Sequence, residues 1–255
     1  NGIDLFVRRD VYALDADGPD VAALRAGIAA MQARPVTDPT SWLFQANIHG
    51  TDDPIPADAA EAARATWSTC QHGSFFFLSW HRMYLYHFER ILRAASGQQE
   101  FALPYWNYAV PTERALPVIF REPADATNPL YVTARRTSDP DINGGDDVPA
   151  AVTDASNAFS FINFASPRGS GLSFGGQILP APQHFSAPHG RLEMQPRDII
   201  HVVVGGSGWM SDPNFAARDP IFWLHHCNID RLWNRWLSLG GGRANPVDNA
   251  VWMDQ

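Results

Sequence analysis

Nine histidines are distributed very unevenly along the 255-residue chain. Four lie between His49 and His87, five between His184 and His226, and none in the 96 residues between. Histidines scattered over a surface would not leave such a gap. Two sit on apolar stripes with helical spacing: His81 in register with Leu85 and Phe88, and His226 with Phe222 and Trp233. An imidazole on a buried face needs partners for both ring nitrogens. For any single histidine, a hydrogen bond to core backbone meets that need. Several helices each turning a histidine toward one interior is how metal sites in helix bundles are built. Asp and Glu are scarce beside these histidines, and Cys70 and Cys227 form no C-x-x-C pair. The donor set therefore suits copper or zinc better than magnesium, calcium or a carboxylate-bridged di-iron centre. Zinc is content with four ligands, so more than four candidates in two clusters favour two ions.

The elements that must position these groups are mostly helical. Residues 20–34 form the first clear helix, with Val21, Leu24, Ile28 and Met31 on one face and Pro35 ending it. A short helix follows at 41–49, with Ser41 as its N-cap. An Ala-rich helix is expected at 58–67, after a loop at 52–56. The second strong helix covers 78–95 and stops at Gly97. Residues 104–188 are rich in Pro, Gly and Asn/Asp. Phe159, Phe161, Phe164 and Phe174 persist through them, which predicts one long ordered excursion packed on the core. A short helix precedes or includes His201. The last helix runs over 220–239, with Phe222, His226, Ile229, Trp233 and Trp236 on one stripe, and Gly240-Gly241-Gly242 ends it. The fold class is mainly α: a four-helix bundle with long irregular loops, one domain over residues 1–255.

Two strings carry a family resemblance. Trp80-His81-Arg82-Met83-Tyr84-Leu85-Tyr86-His87-Phe88-Glu89 resembles the first copper signature of tyrosinases and polyphenol oxidases. The string from Arg218 through Asp219, Pro220, Ile221, Phe222, Trp223, Leu224, His225, His226, Cys227, Asn228, Ile229, Asp230, Arg231 and Leu232 to Trp233 resembles the second. The likeness extends over roughly residues 41–236 and weakens in the excursion. It implies a dinuclear copper site inside the bundle. The first copper would be held by His49, His72 and His81, the second by His201 and His226. His225, about 100° round the helix, is expected to be a packing residue. Cys70-Gln71-His72 is similar to the Cys-x-His of members that join thiol and imidazole as a thioether; the other reading of Cys70 is a buried free thiol. The cross-link would restrict His72, which has no helix to hold it.

The resemblance breaks at one position. The remaining ligand should lie four residues before His201, where this chain has Arg197. A guanidinium offers no lone pair and its charge opposes a cation. Three readings follow: the second copper is weakened or absent; His189 or His184 swings in as a substitute; or the fold persists without oxidase chemistry. The first is the expectation, because everything around Arg197 stays family-like.

The resemblance implies an oxidoreductase that uses dioxygen to oxidise catechols to o-quinones, in some members after hydroxylating monophenols. Glu193 matches the family's acidic residue that orients a water and would help deprotonate a phenol; its plainer reading is a helix N-terminal charge. Asp198 stands where many hydroxylating members carry Asn, able to accept a proton or to pair with Arg197. Val202 is small and leaves the site open. Arg82, Glu89, Asp219, Asp230 and Arg231 flank ligands and are expected either to support them from behind or to form salt bridges. The rival readings are an oxygen carrier and a redox-inert metal-binding domain.

Composition sets the outer bounds. Hydrophobic residues are 45 % and charged residues 18 %, which is globular rather than disordered. The net charge of −8, with no dense Lys/Arg run, is a poor match to nucleic acid or an anionic membrane. No apolar stretch reaches the ~18 residues of a membrane span. The expected partners are a small phenol and dioxygen, and the expected setting is a soluble one. Two cysteines exclude a disulfide scaffold without fixing the compartment, and a secreted origin is compatible with them. The N-terminus, Asn1-Gly2-Ile3-Asp4, does not read as a signal peptide, and it is compatible with one already removed by processing. Family members often continue into a C-terminal segment beyond the last copper helix.

Overall fold

The computed structural model describes residues 6–59, 61–185 and 188–254. Residues 1–4, and Leu5 at the start of the apolar piece before Val7, lie outside the described residues. Helix α1 (Pro19–Gln32) begins with Pro at its first position and buries Val21, Leu24, Ile28 and Met31, the predicted stripe. Helix α2 (Trp42–His49) starts where Ser41 accepts the Phe44 N–H through its side chain. Helix α3 (Glu61–Thr66) is shorter than the composition suggested. Helix α4 (Phe77–Ser96) buries His81, Leu85, Phe88 and Leu92 and ends at Gly97, whose φ of 71° is the left-handed closure glycine adopts freely. Helix α1 packs closely on α4: a Cβ on Gly27 would stand 2.6 Å from Leu92.

The excursion is ordered, as its aromatics predicted. It holds two short helices, α5 (Ala150–Thr153) and α6 (Ser156–Ser160), and a two-residue parallel ladder of β1 (Ala165–Ser166) and β2 (Gly176–Gln177). Phe164 and Phe174 are buried, Phe159 and Phe161 partly so, in one cluster with Trp233 and Trp236. Phe174 stacks on Trp236 with ring centroids 4.3 Å apart. The excursion is also pinned by charge. Arg135 forks onto the Asp219 carboxylate at 2.7 and 2.8 Å, with both side chains fully buried, and Asp219 caps the Ile221 N–H that opens the last long helix.

Before that helix, residues Glu193–Asp198 make a wide kinked turn, broken where Gln195 is extended (φ −152°, ψ 126°) and where Pro196 brings no N–H. Helix α7 (Ile199–Gly205) starts afresh after it and carries His201. Helix α8 (Ile221–Ser238) buries the expected stripe and packs on α4, where Phe88 and Trp223 stack at 3.4 Å. Helices α2, α4, α7 and α8 thus form the bundle, mainly α as expected. A fourth short helix, α9 (Ala250–Met253), follows. Among the described residues no helix is long and apolar enough to cross a membrane.

The flanking charges form the predicted bridges. Arg82 meets Asp230 at 2.6 Å, and Arg8 links Glu89 on α4 to Asp230 on α8. Arg231 instead donates to Asn228 and Asn107.

Candidate metal centre

Two groups of three buried histidines lie at the bundle centre, the ligand atoms of each within 4.8 Å of one another: His49, His72 and His81, and His201, His225 and His226. His49 ends α2 and His81 lies on α4. His72 sits on the loop before α4, as expected. In the first group the ring centroids are 5.2–5.6 Å apart. In the second they are 4.9–5.4 Å apart. The groups abut: His81 and His226 stack at 4.5 Å, only 8° from parallel.

Backbone carbonyls orient these rings. His49 Nδ1 lies 2.8 Å from the Pro213 carbonyl, His81 Nδ1 2.8 Å from that of Phe77, and His201 Nδ1 2.7 Å from that of Met210. With Nδ1–H donating there, each Nε2 carries the lone pair. The Nε2 atoms of His49 and His81 are buried and have no hydrogen-bond partner. Those of His201 and His226 face each other at 3.2 Å. Buried polar atoms normally find partners; convergent orphaned lone pairs fit a metal ion with a preference for imidazole. Burial, followed by neighbouring positive charge that includes Arg197, pushes His49 and His225 down to about 3 and holds His72, His81, His201 and His226 well below the usual imidazole value. The neutral rings are the metal-binding form.

The second group corrects the expectation that Arg197 leaves that site one imidazole short. His225 completes it. His225 lies off the Phe222–His226 stripe, but every residue of α8 from 221 to 229 is buried, so a ring 100° away also faces protein. The Tyr108 hydroxyl lies 3.2 Å from its Nδ1. Neither proposed substitute joins this group. His184 lies against Cys70, its Nδ1 2.9 Å from the Cys70 carbonyl. His189 pairs with Asp198 at 2.7 Å.

Arg197 is nevertheless at the centre. It is buried; one guanidinium nitrogen donates to His72 Nε2 at 2.9 Å and another to Asp198 at 2.9 Å. His189, Glu193 and Asp198 form a third group beside it. Glu193 is buried and its carboxylate oxygens accept the Gly73 N–H at 3.1 and 3.2 Å, next to His72. It is therefore no solvated helix-end charge. Burial raises its carboxyl to about 8. Burial would raise Asp198 too, but the His189 hydrogen bond and the Arg197 cation hold it below the usual range. Cys70 is a free buried thiol, its sulfur 3.2 Å from His72 Nδ1 and 3.3 Å from His184 Nδ1. Val202 is half exposed, and Phe185, also half exposed, stacks on His72 at 5.4 Å. The contacts of Phe185, Tyr108 and Arg197 with the histidines, and of His184 with Cys70, bridge distant parts of the chain, and no local spacing signals them.

Comparison with known proteins agrees with this geometry. A family profile described as the common central domain of tyrosinase matches residues 39–239. The chain is 35 % identical over 277 residues to tyrosinase HcTyr1 of Hahella sp., covering 97 % of this chain and 56 % of that protein. It is 32 % identical over 246 residues to a chloroplastic polyphenol oxidase of Malus domestica, covering 88 % and 39 %. Among solved structures, a latent aurone synthase (polyphenol oxidase) from natural source superposes with a TM-score of 0.70 at 28 % identity, over 96 % of this chain and 50 % of that one. Grenache (Vitis vinifera) polyphenol oxidase gives 0.68 at 28 %, over 93 % and 72 %. The chain thus spans about half the length of the curated relatives it matches.

Proposed function

Because the chain belongs to the tyrosinase family, we propose that it oxidises phenols and catechols to o-quinones with dioxygen and a pair of copper ions. The observation that carries this reading is the pair of abutting buried imidazole triads, with rings oriented by backbone carbonyls. His49, His72 and His81 would hold one ion, and His201, His226 and His225 the other. Bound copper supplies two one-electron steps that no side chain can provide.

The chain's own groups bind and orient the phenol and handle its proton. Phe185 offers an exposed ring face beside His72 against which an aromatic substrate can lie. Glu193, raised to about 8, is poised near neutral pH to exchange a proton with a phenolic hydroxyl. Asp198 stays ionised and anchors both His189 and Arg197. The test is quinone formation by copper-loaded protein from a catechol and, separately, from a monophenol. Growth of quinone absorbance, abolished in His81→Ala and His226→Ala, is the expected result. Reversible oxygen uptake without quinone would instead mark a carrier, and no reaction with either substrate would refute the proposal.

The same reading includes a thioether between Cys70 and His72, supported by the 3.2 Å approach of the sulfur to the ring. A C–S bond would replace S–H and ring C–H, releasing two protons, with dioxygen as the two-electron acceptor. Intact mass should fall by two hydrogens, resist reductant, and return to the calculated value in Cys70→Ala. An unshifted mass in copper-loaded protein refutes the link.

A further inference from the structure

We infer that Arg197 is a built-in competitor for the first metal site, a latch on His72 that must release before that triad can close on an ion. The inference rests on the reading of His72 as a ligand. The three rings of the first triad are not equivalent. His49 and His81 present Nε2 with no partner. His72 Nε2 instead accepts a hydrogen bond from Arg197 at 2.9 Å. Its other nitrogen faces the Cys70 sulfur at 3.2 Å. The lone pair an ion would use is therefore already engaged by a cation.

Arg197 cannot resolve the conflict by losing its proton, because a guanidinium keeps its charge at any working pH. It has to move. The surroundings supply both a reason to stay and a way out. Its Nη1 donates to Asp198 at 2.9 Å, while its Nε is buried without a partner. Asp198 is the more exposed end of the arrangement, its side chain 30 % exposed against 7 % for Arg197. The guanidinium can therefore swing outward on the Asp198 contact while Nη2 leaves His72. Asp198 keeps His189 as a second partner at 2.7 Å, so the carboxylate stays in place whether or not Arg197 is drawn back. The second triad carries no such hydrogen bond from Arg197 and fills without this displacement.

The experiment is a titration of metal-free protein with cobalt(II), followed by its visible absorption and by calorimetry, on wild type, Arg197→Met, Arg197→Lys, His72→Ala and the Arg197→Met/His72→Ala double variant. Methionine keeps an unbranched side chain of similar stem without charge or hydrogen-bond donor. We expect the weaker of the wild-type sites to tighten about ten- to a hundredfold in Arg197→Met, the scale of a charge-assisted hydrogen bond no longer broken on binding. The gain should vanish in the double variant. Lysine, which keeps the charge but lacks the two separate nitrogens that reach His72 and Asp198, should give a smaller gain, and it serves as the decisive variant if Arg197→Met does not fold. Unchanged or weaker binding in Arg197→Met and Arg197→Lys, with His72→Ala still weakening it, overturns the latch and leaves the ligand reading standing. Unaltered binding in His72→Ala overturns both.

Discussion

Taking the copper-stripped protein from pH 7 to pH 5 should remove most of its stability, and the size of the loss can be worked from six rings. His49, His72, His81, His201, His225 and His226 are all held below the ordinary imidazole value, chiefly by burial. A base with a depressed folded pKa adds stability above its unfolded value and loses it as pH falls, because only the unfolded chain takes up the proton. The window opens at the unfolded value of about 6.5 and runs down toward the about 3 of His49 and His225. Between pH 7 and 5 each ring that stays neutral in the fold costs about 2 kcal/mol. Glu193 and His189 work the other way, since burial raises the carboxyl to about 8 and the Asp198 hydrogen bond raises the imidazole, and they offset part of the loss. The net is about 8 kcal/mol, comparable to the whole stability of a typical domain. Urea unfolding followed by tryptophan fluorescence, repeated across this window, reads the proton uptake directly as the slope of stability against pH. The slope below pH 6 should approach five protons, roughly 1.4 kcal/mol per pH unit for each. A slope of about two protons or fewer would mean that the rings titrate inside the fold, and the burial argument would fail. Copper, by holding the neutral rings, should push the acid transition to lower pH.

Other outcomes follow from single contacts. Glu193→Gln should gain on wild type in melting temperature as pH rises from about 4.5 to about 8, because a raised carboxyl contributes stability below its unfolded value and loses it through its folded one; a constant difference across that range would contradict the shift. Arg135→Ala strands a fully buried Asp219 and should cost about 3–5 kcal/mol in denaturant unfolding. Ser41→Ala removes the cap of the helix that delivers His49 and should cost about 1 kcal/mol by the same measurement. Gly27→Ala drives a methyl into Leu92 and should cost about 1–3 kcal/mol, with thermal melting as the check.

Helices α4 and α8 were legible because apolar residues recur along each at helical spacing, so Leu85, Phe88, Phe222 and Trp233 already named an inward face. Ser41 and Gly97 marked the start of α2 and the end of α4 by cap chemistry alone. The first triad was legible through family likeness, although His72 has no helical register of its own. His225 lies off the α8 stripe, and a one-stripe picture fails for the first half of α8, where residues 221–229 are all buried. The position of Arg197 was read only as a deficit. Its contact with His72 spans 125 residues and depends on the kinked turn at Gln195 and Pro196, which local pattern does not encode. The excursion is ordered for a similarly non-local reason, the Arg135–Asp219 fork.

The parallel stack of His81 on His226 has a practical consequence for anyone dissecting the centre by mutation. Those two rings are a party wall between adjoining chambers, and each braces the other's tilt. Truncating either one removes an imidazole from its own chamber and a support from the next. Variants of the two should therefore depart from additivity in metal affinity, and a phenotype from one ring is not a report on one ion.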